Sequence, residues 1–130
     1  MGLDMYLAGV RERGGQKAET VENVCQLGYW RKHWGLHTEL VNRFAGGMEA
    51  YDQRHFVSVR LSPDALRSIV AAMESGEMET LPKLPGYDPG LARLYREQTE
   101  CDLDIFKHAL AWLEAAGDGE KRSVYYEAND

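Results

Sequence analysis

Apolar and polar residues alternate from the start of the chain: Leu3, Met5 and Leu7 against Asp4, Tyr6 and Ala8, with Val10 extending the run to Gly14-Gly15. A period of two predicts a half-buried strand. Residues 16–27 are polar and fit either a loop or one or two helical turns. From Tyr29 the period changes. Advancing ~100° per residue from Trp30 puts Trp30, Trp34, His37, Val41 and Phe44 on one stripe, with Tyr29, His33, Leu36 and Leu40 beside it. Arg31, Lys32, Glu39 and Asn42 fall opposite. The apolar arc of about 160° predicts a helix over 29–44 laid on a sheet, stopped by Gly46-Gly47. Trp30, Trp34, Val41 and Phe44 should be buried, and Arg31, Lys32 and Glu39 exposed.

Residues 55–61 alternate again, with Val57, Val59 and Leu61 on one face, and predict a second strand. Ser62-Pro63-Asp64 then supplies an N-cap, a proline for the first helical position and an acid for the first turn. The helix it opens carries Leu66, Ile69, Val70 and Met73 and ends at Gly76. Residues 77–90 hold Pro82, Pro85 and Pro89 and predict a long loop, the least regular part of the chain. A third helix begins between Gly90 and Thr99 and runs to Ala116, with Leu94, Gln98, Cys101, Ile105, His108 and Trp112 at three- to four-residue spacing. Gly117-Asp118-Gly119 marks a turn, and Ser123–Glu127 reads as a short final strand. These elements predict an α+β fold: a small, mainly antiparallel or mixed sheet of three or four strands, packed on one face by about three helices. At 130 residues the chain has the length of one globular domain, 1–130.

Charge narrows the function. The net charge is −6, divided as +1 over residues 1–60 and −7 over residues 61–130. Such a balance argues against direct binding to nucleic acid or an anionic membrane, which needs phosphate neutralisation. It suits a basic partner surface. No apolar run reaches the roughly 20 residues of a membrane span, and the start has no signal-peptide pattern. Two cysteines, Cys25 and Cys101, make no Cys-x-x-Cys pair. They are expected to be small buried hydrophobes in a reducing cytoplasm.

Three groups of residues could carry chemistry. His33 and His37 have the four-residue spacing that brings two imidazoles to one helix face for a metal. However, the glutamate of a His-Glu-x-x-His motif is replaced by Trp34, and both histidines fall inside the apolar arc. Two core histidines, each with a hydrogen-bond partner, is the stronger expectation. Tyr29, Arg31 and Lys32, around Trp30, mix the aromatic and basic residues of interface hot spots, but Tyr29 and Trp30 as core anchors, with Arg31 and Lys32 turned to solvent, is the stronger expectation. Glu97, Glu100, Asp102 and Asp104 form an acidic stretch at the start of the third helix; it is either a response to the helix dipole or a docking face for a basic partner. No phosphate loop, dinucleotide fingerprint or nucleophile elbow is present, and no cofactor is expected.

Met1–Leu7 (Met-Gly-Leu-Asp-Met-Tyr-Leu), Leu27–Lys32 (Leu-Gly-Tyr-Trp-Arg-Lys) followed by His37, and the tail Val124–Ala128 together resemble a family of small bacteriophage and prophage proteins. The resemblance implies a mobile-element origin and a bacterial cytoplasm, and assigns no activity. The functional expectation is a non-enzymatic protein that binds and modulates a host or defence-system protein. The alternatives are a small metal-assisted hydrolase or nucleotide-acting enzyme using His33 and His37, and a self-associating accessory protein that forms a homodimer.

Overall fold

A computed structural model describes residues 2–13, 24–78, 80 and 89–130. Its elements are β1 (Asp4–Arg13), β2 (Val24–Arg31), α1 (Trp34–Phe44), α2 (Met48–Arg54), β3 (Phe56–Leu61), α3 (Pro63–Ser75), α4 (Pro89–Glu114) and β4 (Glu120–Asn129). The four strands form one antiparallel sheet in the order β2-β1-β4-β3. The α+β class and the sheet covered on one face follow the sequence. Among the described residues, no helix is long and apolar enough to cross a membrane.

Registers sort the sheet into two faces. Met5 pairs with Trp30 and Ala128, and Leu7 with Gly28 and Tyr126; these residues point toward the helices and are buried. Leu36, Leu40 and Val41 of α1, Tyr51 of α2, Leu66 and Ile69 of α3, and Phe106 and Ala109 of α4 complete the core. Each helix reaches the same face. His37 meets Tyr126, Tyr51 meets His37 at 4.3 Å between ring centroids, and Phe106 stacks on Trp30 at 5.8 Å.

Two inward glycines let α4 lie close. A Cβ on Gly9 would stand 2.8 Å from Trp112, and one on Gly28 would stand 2.7 Å from Ile105. Arg122 of β4 then fastens the end of α4. Its guanidinium lies 4.8 Å over the Trp112 ring and donates to the Trp112 carbonyl at 2.6 Å.

The α3 caps are as expected. Ser62 Oγ accepts from Ala65 N–H at 3.1 Å, Pro63 opens the helix, and Gly76 closes it in the left-handed region. The segment 77–90 is described only in part; residues 79 and 81–88 lie outside the described residues, and α4 already begins at Pro89.

Several expectations need correction. Tyr29, Trp30 and Arg31 are not helical. They end β2, where Trp30 points inward while Tyr29 and Arg31 point outward. Pairing with β1 holds this end of β2 extended, and Lys32 at φ 57 breaks the chain direction before α1 starts at Trp34. Trp34, in the first turn, is therefore 43% exposed rather than buried, while Glu39 and Phe44 are half-buried.

On α4 the buried stripe is Asp102, Phe106 and Ala109, one residue away from the expected one, so Cys101 and His108 face solvent. Cys25, on edge strand β2, is also exposed; neither cysteine is a core hydrophobe. The final strand is ten residues long and central, and helix α2 adds an element that the sequence reading lacks.

Candidate functional site

The buried face holds two polar knots. Asp102 has no solvent exposure and sits where α4 crosses the end of β2. Its Oδ1 accepts from Trp30 Nε1 at 2.8 Å and from Gln98 Nε2 at 3.0 Å; its Oδ2 accepts from His33 Nε2 at 2.7 Å. A buried carboxylate stays compatible with folding only when its lone pairs are met in this way. Asp102 thus fixes the indole of β2 and the imidazole that precedes α1 to one point on α4.

The second knot is His37, Tyr126 and Tyr51. His37 is fully buried and shares a 2.6 Å hydrogen bond between its Nδ1 and the Tyr126 hydroxyl. Among the described residues, its Nε2 has no hydrogen-bond partner. Burial pushes His37 down to about 4, so its ring is neutral at physiological pH. Burial first, then the nearby charge of Asp130, pushes the Tyr51 phenol up to about 12. Burial also raises the Tyr126 phenol. This cluster is kept uncharged, as a core requires.

The two histidines singled out by spacing are therefore committed to different partners, His33 to Asp102 and His37 to Tyr126. Among the described residues, no group of three or more His, Cys, Asp or Glu is placed to hold a metal ion.

The opposite face of the sheet has a different character. Its outward rows run Arg31–Asp4–Asn129–Phe56, Tyr29–Tyr6–Glu127–Ser58 and Gln26–Ala8–Tyr125–Arg60. Among the described residues, no helix lies over it. Phe56 is 55% exposed and Tyr29 44%. The Tyr6 and Tyr29 rings lie 5.2 Å apart, and Tyr29 donates its hydroxyl to Asp4 Oδ1 at 2.9 Å. That hydrogen bond raises the Tyr29 phenol above its ordinary value. The result is a face of amphipathic aromatic rings with both signs of charge among them.

Tyr29 and Arg31 belong to this face, and Lys32 sits exposed at its end. Glu97, Glu100 and Asp104 are exposed on α4, in the helical layer. The two groups of candidate residues therefore lie on opposite sides of the sheet and do not form one site. Tyr6, Phe56, Tyr125 and Arg60 escape the sequence reading. The signal that could find them is the polar half of each strand alternation, where aromatic residues stand in place of solvating ones. Comparisons of the chain with protein-family models, with curated proteins and with solved structures return no match.

Proposed function

We propose that the protein works by binding another protein, and that the open face of the sheet is the surface it uses. One observation carries this reading: a face left uncovered among the described residues, with Tyr6, Tyr29, Tyr125 and Phe56 beside Arg31 and Arg60. Tyrosine and arginine give large contact area with a polar end, which is why they dominate interface hot spots. Asp4 and Glu127 flank Tyr6, and together with the net charge of −6 they disfavour a phosphate backbone across the same face. The resemblance of the chain's opening and of Leu27–Lys32 to phage proteins supports a bacterial cytoplasm as the setting and a host or defence-system protein as the partner.

A second reading keeps the exposed acids of α4, Glu100 and Asp104, as a docking face for a basic partner; the −7 charge of residues 61–130 favours it. A hydrolase using His33 and His37 has less support, since the two imidazoles serve separate knots.

The test starts by capturing the partner from a bacterial lysate and identifying it. Its affinity is then measured for Tyr29→Ala with Phe56→Ala, and for Glu100→Lys with Asp104→Lys. The sheet-face pair should weaken binding by about tenfold or more. The α4 pair should change mainly the association rate and its salt dependence. An affinity that survives the sheet-face changes and collapses with the α4 changes would move the site to α4.

A further inference from the structure

The two edges of the sheet are unlike. Edge strand β2 is irregular: its register with β1 shifts between Leu7 and Ala8, leaving Leu27 as an extra residue. Bulges of this kind twist an edge away from further pairing. Edge strand β3 pairs with β4 without a shift from Phe56 to Leu61 and contains no proline. Its outer side can be read from the register. Asp130 N–H donates to the His55 carbonyl, which makes Val57 and Val59 the residues that bond to β4.

Phe56, Ser58 and Arg60 consequently turn their backbone N–H and C=O groups outward. Among the described residues, none of these groups has a hydrogen-bond partner beyond the sheet. A cleft of about 320 Å³ runs beside the strand, lined by Ala45, Ala50, Tyr51, Arg54 and the strand itself from Phe56 to Val59. An edge of this kind is a template for another strand.

We infer that β3 pairs with β3 of a second copy, antiparallel about Ser58. Any antiparallel register on a two-fold axis is self-complementary, and this one keeps every pair within β3. Ser58 faces Ser58 of the second copy, and every outward N–H and C=O of Phe56, Ser58 and Arg60 gains a partner. It also sets Phe56, 55% exposed, beside Arg60 of the second copy, an exposed guanidinium that has no ion pair among the described residues. A cation beside an aromatic face is attractive, and the contact occurs twice by symmetry. A shift of two residues in register would move Arg60 from opposite Phe56 to a diagonal position and leave one end of the edge unpaired. The dimer carries one continuous sheet with both open faces on the same side. If the open face is the binding surface, the assembly is bivalent toward its partner. The pairing itself does not depend on that reading.

Sedimentation velocity of the full chain from about 1 to about 100 µM reads the equilibrium directly. A concentration-dependent dimer is expected. Ser58→Pro removes an N–H that points outward, a position where an edge strand tolerates proline. It should weaken dimerisation by about tenfold or more while circular dichroism shows the monomer fold retained. If Ser58→Pro does not fold, Ser58→Cys with Cys25→Ser and Cys101→Ser supplies the second arm. A short bis-maleimide should then link two chains through position 58. A monomer throughout the concentration range, a dimer of unchanged affinity in Ser58→Pro, or a dimer that position 58 does not cross-link would each overturn the inference. Loss of the dimer in Tyr29→Ala with Ser58→Pro unaffected would place the contact on the open face instead, which also overturns it.

Discussion

Gly9 and Asp102 show how single residues set the geometry of α4. Gly9 leaves room for the Trp112 ring at a point where a Cβ would sit 2.8 Å from it. Gly9→Ala should therefore cost about 1–3 kcal/mol by overpacking, read by urea unfolding. Trp112→Leu in the same chain should recover part of the loss, which a backbone effect of alanine would not allow. Gly9 does not stand out in the sequence, because a glycine inside an alternating strand is a weak signal and its reason lies in a helix more than a hundred residues away.

His37 gives a pH signature. Its folded value of about 4 lies below the ordinary 6.5, so the unfolded chain binds the proton more readily. The associated stability is complete above pH 6.5 and is lost as pH falls toward 4, by up to about 3 kcal/mol. Unfolding free energies measured at pH 7.5 and 4.5 should fall farther for the native chain than for His37→Gln. Equal falls would show that the imidazole is solvated in the folded state.

At the scale of elements, alternation and caps were legible wherever local pattern and tertiary position agree. β1, β3 and α3 emerge from period two, period two and Ser62-Pro63, respectively. β2 does not, because its residues 24–28 lack a clean alternation and its bulge breaks the period. Tyr29-Trp30-Arg31 then joins the helical stripe by coincidence of spacing, since an inward strand residue four positions before a helix mimics a helical neighbour. α4 fails differently. Its buried stripe contains Asp102, and a charged residue on the core side rotates any apolar-only reading by one position.

The tryptophans separate the two accounts of residues 29–44. With Trp30 in the core, stacked on Phe106 and bonded to Asp102, Trp30→Ala should cost about 3–5 kcal/mol. Trp34→Ala, at an exposed first turn, should cost about 1 kcal/mol or less. Thermal and urea unfolding of the two variants check this; comparable losses would restore the continuous helix.

At the scale of the molecule, the helices of the described residues gather on one face of the sheet β2-β1-β4-β3, and tyrosines, arginines and a phenylalanine occupy the other. The fold class was readable from the order of periods along the chain. The candidate site was readable only in part, as Tyr29, Arg31 and Lys32. A surface assembled from four strands requires registers, and registers are set by partners distant in sequence: Tyr6 meets Glu127 and Asp4 meets Asn129. The acidic stretch was visible at once but divides in space, with Asp102 serving the core and Glu100 and Asp104 facing solvent.

The claim that the open face is the binding surface is tested most directly by photocrosslinking in a bacterial cytoplasm. A photoreactive phenylalanine analogue replaces Tyr29 in one chain and Asp104 in another, both expressed at equal level. The account predicts a covalent adduct to a second protein from position 29 and none from position 104. An adduct formed from position 104 alone would contradict it.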